Sequence, residues 1–175
     1  MSVQWATMDE GITQAESIVM YGLSPETLTS VVSGGNYTFT DSGEEKHALS
    51  HHVCIMSQLK GNTKYFYQVG DPKYELSEVF DFISAPSTED MNLPLRFGIW
   101  GDMGFENAQI LSSVLKEVEN DNFDMILHVG DFGYDLHSDN GRTGDNFMNS
   151  IQPMSSRVPY MVSHVNYVLF YPDLF

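Results

Sequence analysis

The 175-residue sequence has one cysteine, few positive charges and no long apolar run. The single cysteine, Cys54, excludes an internal disulfide framework and a zinc site built from several cysteines, and its apolar surroundings predict that it packs within a strand. No stretch approaches the roughly 20 apolar residues that a membrane-spanning helix needs. With 8 Lys and Arg against 24 Asp and Glu, the net charge of -16 disfavours nucleic acid or an anionic membrane as the partner.

The first half of the chain is rich in short alternating segments. Hydrophobic residues make up 42% of the sequence and aromatics 13%, which is typical of a globular protein. Apolar and polar residues alternate over several runs bounded by Gly, Pro, Asn or Ser, and this pattern predicts short antiparallel strands. The predicted strands cover residues 3–7, 17–21, 37–40, 52–59, 64–69 and 78–83. Strands at this spacing favour a β-sandwich.

The pattern changes after Pro94. Residues 95–100 and 125–129 are mostly apolar, as expected for strands buried on both faces. Between them, apolar residues recur at helical spacing: Ile110, Leu111, Val114, Leu115 and Val118. The second half therefore begins with a strand–helix–strand unit, which predicts two parallel strands joined by a right-handed crossover.

Each of these two apolar strands ends in the same dipeptide, Gly101-Asp102 and Gly130-Asp131. In a parallel pair both dipeptides emerge at the carboxyl edge of the sheet, where ligands of open α/β folds bind. Two carboxylates about 4 Å apart repel by about 4 kcal/mol at an effective dielectric constant near 20, so either one is protonated or a cation lies between them. Tyr134 follows closely, and an oxygen-rich set with a phenolate suits a hard, ferric ion.

These motifs resemble those of the purple acid phosphatases, in the calcineurin-like metallophosphoesterase superfamily, and are most similar to the animal type 7 enzymes. The two segments that carry the resemblance are Gly101-Asp102-Met103-Gly104 and Gly130-Asp131-Phe132-Gly133-Tyr134. The second matches the family's Gly-Asp-x-x-Tyr signature. Upstream, residues 21–25 and 61–70 resemble the family's fibronectin-like N-terminal domain, and the whole resemblance covers residues 3–162.

The resemblance implies a mixed β and α/β fold. Residues 1–85 are expected to form a fibronectin-III-like antiparallel sandwich without its first strand, and residues 86–94 a linker. Residues 95–162 would begin the metallophosphoesterase α/β domain, and residues 163–175 have no counterpart in the family. Tyr65 corresponds to the corner tyrosine of fibronectin type III domains. The missing first strand would leave an unpaired edge, which is an association site that could support a homodimer.

The implied site holds a ferric ion and a divalent ion, either iron, zinc or manganese. By resemblance, Asp102 and Tyr134 bind the ferric ion and Asp131 bridges both ions. Asn166 is in register with the family's metal-binding asparagine. Tyr167 stands where the family has its proton-donating histidine, and the family's three downstream metal-binding histidines have no counterpart in this sequence.

The resemblance implies an acid phosphatase that hydrolyses phosphate monoesters and is secreted or lysosomal, although residues 1–5 do not resemble a signal peptide. The alternative is a catalytically inactive truncated or splice-variant product that lacks the downstream metal-binding histidines. Another metallophosphoesterase, such as a nuclease or diesterase, is disfavoured by Tyr134. Asn36-Tyr37-Thr38 fits the glycosylation pattern of secreted proteins.

Three further side chains are interpreted as structural. His128 lies within an apolar strand, which predicts a packed, hydrogen-bonded histidine more strongly than a metal ligand. Arg142 and Asp145 are expected to hold the loop after Tyr134 and not to contact substrate.

Overall fold

The computed structural model describes residues 1–8, 15–87, 94–106 and 108–163. These residues form a β-sandwich followed by a smaller α/β unit. The predicted boundary between the two falls on residues 86–94, of which 88–93 lie outside the described part, as do Asn166 and Tyr167. Neither described helix is long and apolar enough to cross a membrane.

The first sheet of the sandwich has three antiparallel strands. They are β1 (Ser2–Met8), β4 (Gly35–Thr40) and β5 (Ala48–Ile55), arranged in the order β1-β5-β4. Among the described residues, β1 pairs with β5 alone, so its other edge is an edge of this sheet.

The second sheet has five strands: β2 (Ile18–Gly22), β3 (Ser30–Ser33), β6 (Lys64–Asp71), β7 (Glu75–Leu76) and β8 (Phe80–Ile83). The order is β3-β2-β6-β7, and β8 also pairs antiparallel with β6. Alternation places every second side chain of these strands on the same face, as the sequence pattern predicts.

The core of the sandwich is formed by buried residues from both sheets: Val19, Cys54, Met56, Tyr65, Tyr67, Val69 and Phe82. Cys54 packs within a strand as predicted, and burial raises the pKa of its thiol. The Tyr65 hydroxyl accepts a hydrogen bond from the Lys60 amide (3.0 Å), five residues upstream, in keeping with the corner tyrosine predicted from the sequence.

The α/β unit contains β9 (Phe97–Trp100), α1 (Leu111–Glu119), β10 (Met125–Val129), α2 (Arg142–Ser155) and β11 (Tyr160–Ser163). Its three strands are parallel, in the order β11-β10-β9. The predicted strand–helix–strand unit with a parallel pair is therefore confirmed.

Both helices cover the same face of this sheet. The core between the helices and the sheet consists of Met103, Val114, Val118, Ile126, Phe147, Ile151, Met154 and Val158. On the other face, Phe97, Ile99, Val129 and Met161 are exposed, Ile99 by 60%. The prediction that β9 and β10 are buried on both faces is thus wrong for the described residues. An apolar strand can be buried on both faces, but its composition does not show whether another element covers each face.

Candidate metal site

The two Gly-Asp dipeptides meet at the carboxyl edge of the parallel sheet. β9 and β10 pair in register, with Trp100 opposite His128, so both strands end at the same level. Gly101 lies against the end of β10, and a Cβ added to it would be 3.2 Å from the Val129 carbonyl oxygen. The close approach leaves little room for a side chain at this position and brings Asp102 and Asp131 to one edge.

Both aspartates have a left-handed backbone. The φ angle is 55° at Asp102 and 43° at Asp131, and the preceding Gly130 has φ of 91°. Few residues other than glycine adopt this conformation, but Asp and Asn do so more readily because their short polar side chains bond locally. Two residues after each strand ends, the chain therefore turns at an aspartate that also supplies a carboxylate.

Tyr134 contacts the carboxylate of Asp102. Its hydroxyl donates a hydrogen bond to Asp102 Oδ1, and the side chain is 46% exposed. Gly104, with φ of 61°, faces the tyrosine ring, and a Cβ there would lie 3.1 Å from Tyr134 Cδ2. The glycine therefore serves both the turn and the seating of the ring.

The surroundings hold the phenol in its protonated form. The hydrogen bond to Asp102, followed by partial burial and the negative charges of Asp102 and Asp131, raises the pKa of Tyr134 to about 12. A cation bound at this position would reverse the effect, since it favours the phenolate and offsets the charge of the two carboxylates.

The donor set fits a hard cation. Two carboxylates and a phenol provide oxygen ligands only, and a phenolate is a known ligand of ferric iron. Within residues 1–8, 15–87, 94–106 and 108–163, this site included, no three His, Cys, Asp or Glu side chains gather into a group that could hold a metal. A cleft of about 200 Å³ adjoins the site and is lined by Gly104, Phe105, Glu106, Tyr134, Asp135, Ser138 and Thr143.

His128 is packed beneath the site, as the sequence predicts. It is fully buried, and its Nδ1 lies 2.7 Å from the Tyr160 hydroxyl. Burial lowers the pKa of His128, with the Asp131 carbonyl and the Asp102 carboxylate acting in the opposite direction. Its ring packs against Phe132 at 5.2 Å between centroids. The histidine supports the loop after β10.

Arg142 and Asp145 contact neither Asp102 nor Tyr134 through any hydrogen bond that the structure gives. They bind residues of the sandwich: Arg142 pairs with Glu45 at 2.6 Å, and Asp145 with His47 at 3.0 Å. The sequence offered no signal for Glu45 or His47, because each lies almost a hundred residues from its partner. His137 is exposed.

Comparisons with known proteins agree with this architecture. Residues 1–84 match the family model described as the purple acid phosphatase N-terminal domain. The chain is 36% identical over 168 residues to acid phosphatase type 7 of Danio rerio and 29% identical to that of Homo sapiens. These alignments cover 95% of the chain but only 36% and 37% of the relatives, so the chain spans about a third of their length.

A solved structure shows the same fold. The purple acid phosphatase isolated from yellow lupin (Lupinus luteus) seeds superposes with a TM-score of 0.68 and 20% identity, over 94% of this chain and 32% of that one. The fold is thus a β-sandwich followed by an α/β unit with oxygen donors at its carboxyl edge. The chain belongs to the purple acid phosphatase family.

Proposed function

We propose that this chain carries ligands of a binuclear metal site in an acid phosphatase that hydrolyses phosphate monoesters. The observation that carries the proposal is the contact of Tyr134 with Asp102 beside Asp131, at the carboxyl edge of the sheet. Membership of the purple acid phosphatase family supports it.

The proposed cofactor is a ferric ion with a divalent ion, either iron, zinc or manganese. Such a pair would supply positive charge for the phosphate and would acidify a water molecule that acts as the nucleophile. Asp102 and Tyr134 would hold the ferric ion, and Asp131 would hold both ions. Tyr134 must lose its hydroxyl proton to become a ligand, so metal uptake releases a proton there.

Substrate binding also depends on the positive charge that the metal ions would supply. A protein with a net charge of -16 repels a phosphate monoester unless cations attract it locally. We further propose Asn166 as a ligand of the divalent ion and Tyr167 at the position of the proton donor. A phenol has an ordinary pKa near 10, so it would transfer a proton to the leaving group poorly at acid pH.

The family relationship also supports a secreted or lysosomal location. Association into a homodimer is supported by the edge of β1 that pairs with no other strand among the described residues. Asn36 of the glycosylation pattern lies exposed on β4, where a glycosylating enzyme could reach it. Treating protein from a secretory host with a glycosidase, and comparing it with Asn36→Gln, tests the first proposal. A mass shift in the parent chain that the variant lacks is expected.

The alternative function is a catalytically inactive family product, either truncated or a splice variant. It is favoured by the small donor set, since the direct contact given within the described residues is that of Tyr134 with Asp102, and no group of three His, Cys, Asp or Glu that could hold a metal is found there. Such a product would bind one metal weakly or none.

Metal content per chain tests the proposal, with iron and zinc quantified in the purified protein and in Asp131→Asn. Near-stoichiometric metal that Asp131→Asn removes, together with hydrolysis of an aryl phosphate, is the expected result. The matched control is Asp121→Asn, which makes the same charge change at a residue with a similar backbone (φ of 53°) before β10. Stoichiometric metal without hydrolysis would favour the inactive product, and equal metal content in all three proteins would refute the site.

A further inference from the structure

We propose that the β-sandwich positions the candidate metal site, with His47 and Glu45 as positioning residues. This inference rests on the proposed function, and it concerns the residues that keep Tyr134 in place. Residues 41–47, here called the docking loop, connect β4 to β5. They contact residues 135–145, here called the Tyr134 segment, which run from Tyr134 into the first turn of α2.

The strongest link between the two is the pair of His47 and Asp145. His47 Nε2 lies 3.0 Å from Asp145 Oδ2, and the side chains are only 22% and 16% exposed. Arg142 also binds Glu45, at 2.6 Å, but both side chains are half exposed, and water screens such pairs strongly. The shielded His47–Asp145 pair is therefore the contact expected to matter more.

A glycine on each side lies close to the opposite segment. A Cβ added to Gly43 of the docking loop would lie 2.9 Å from Asn140 Oδ1, which is too close without a shift. Gly141, with φ of 89°, stands before α2, and a Cβ there would be 3.6 Å from His47 Cδ2. The two segments are thus packed together as well as linked by polar contacts.

The docking loop is itself braced. The Asp41 amide donates to the His47 carbonyl at 2.7 Å, closing the loop at its base. The Gly43 amide donates to Asp41 Oδ1 at 2.6 Å, and Asp41 is buried. His47 and Glu45 therefore project from a closed loop that can resist displacement.

The Tyr134 segment transmits the restraint to the site through its own backbone. The Gly144 amide donates to the Leu136 carbonyl at 3.0 Å, and the Ser138 amide donates to the Asp135 carbonyl at 2.8 Å. The first bond ties the first turn of α2 to Leu136, and the second bond closes a turn directly after Tyr134. Fixing Asp145 against the sandwich therefore fixes the position at which the tyrosine leaves the loop.

A second contact region provides a matched control. At the other end of α2, Arg157 binds Asp81 of β8 at 3.2 Å, and the Tyr67 hydroxyl donates to the Ser156 carbonyl at 2.6 Å. This region also joins the sandwich to the α/β unit, but it lies away from Tyr134. Weakening it tests whether the site responds to docking in general or to the docking loop.

The experiment compares the full chain with His47→Ala, Asp145→Asn, His47→Gln and the control Asp81→Asn. Hydrogen–deuterium exchange is followed by mass spectrometry in peptides covering residues 130–141, without added metal. We expect faster exchange there in His47→Ala and Asp145→Asn, with peptides from β6 unchanged. His47→Gln should retain slow exchange, because the glutamine amide nitrogen can replace Nε2. Asp81→Asn should leave residues 130–141 unchanged and affect only peptides around its own partners, Lys64 and Arg157.

Zn²⁺ titration calorimetry supplies the second measurement. The affinity for Zn²⁺ should fall about tenfold or more in His47→Ala, as is typical when a group supporting a ligand is lost, and remain unchanged in Asp81→Asn. Parent-like exchange in His47→Ala and Asp145→Asn, or equal effects of Asp81→Asn on residues 130–141, would overturn the proposal. If the parent chain binds no Zn²⁺, the proposed site fails, while the exchange measurement still decides whether the docking loop holds the Tyr134 segment.

Discussion

The hydroxyl proton that Tyr134 donates to Asp102 affects the affinity of the candidate site for a metal ion. The phenol donates a hydrogen bond to the carboxylate, and the pKa of Tyr134 is raised to about 12. A cation must displace that proton, so metal affinity should rise with pH as long as the ion itself stays in solution. The same hydrogen bond holds the two oxygens side by side before any ion arrives.

Replacing Asp102 by Asn should lower the pKa of Tyr134 from about 12 toward the ordinary tyrosine value of about 10, because the charged acceptor is lost. Ultraviolet titration of tyrosinate measures this, with Tyr134→Phe subtracted to isolate the residue. Since the folded pKa is raised, the contact stabilises the fold below about pH 10 and ceases to do so as pH rises through 12. An unchanged titration in Asp102→Asn would show that the carboxylate does not cause the shift.

Single residues also show which parts of the candidate site could be predicted from the sequence. Asp102, Asp131 and Tyr134 were predicted as one site because each follows the end of a parallel strand, and strand ends meet by geometry. His47 and Glu45 could not be found in this way. They reach Asp145 and Arg142 through the packing of one unit on another, and no local pattern records such a contact.

Among the elements, α2 contributes side chains to the core and also contacts the docking loop near the candidate site. Its first turn contacts the docking loop, and its buried side chains Phe147, Ile151 and Met154 pack on the sheet. Helical spacing predicts α1, and Leu111, Val114, Leu115 and Val118 face the core as expected. Ile110, which belongs to the same predicted set, precedes the helix and is 43% exposed. The bare face of β9 was not predicted, because Phe97 and Ile99 have the same composition whether or not another element covers them.

Two neighbouring residues of α2 allow a direct comparison of buried and exposed positions. Phe147 is fully buried, whereas Met148 is 54% exposed. Phe147→Ala should reduce the free energy of unfolding by about 3–5 kcal/mol through lost burial and a cavity. Met148→Ala should change it by about 0.5 kcal/mol or less. Urea denaturation measures both, and similar losses for the two variants would contradict the described orientation of the helix.

At the scale of the molecule, the described residues include an apolar, exposed face of the parallel sheet. Phe97, Ile99, Val129 and Met161 lie together on β9, β10 and β11, opposite the helices. Contiguous apolar surface promotes association, while a net charge of -16 opposes it by repulsion between molecules. Salt, which screens the charge but not the apolar face, should therefore favour association.

Ile99→Lys should reduce salt-induced association, measured by light scattering, and the binding of an apolar fluorescent dye. The matched control is Ile83→Lys on β8, which makes the same change at another exposed strand residue, 42% exposed, on the sandwich. Equal effects of the two variants would mean that added positive charge, and not the sheet face, controls association.

The separation of His47 from Asp145 has a consequence for synthesis. The two residues are 98 positions apart, and the last strand of the sandwich ends at Ile83. At about 5–20 residues per second, translation produces Asp145 roughly 5–20 seconds after His47, a period in which domains already made can fold. The docking loop would then be a finished surface on the nascent chain, ready to receive the Tyr134 segment when it leaves the ribosome.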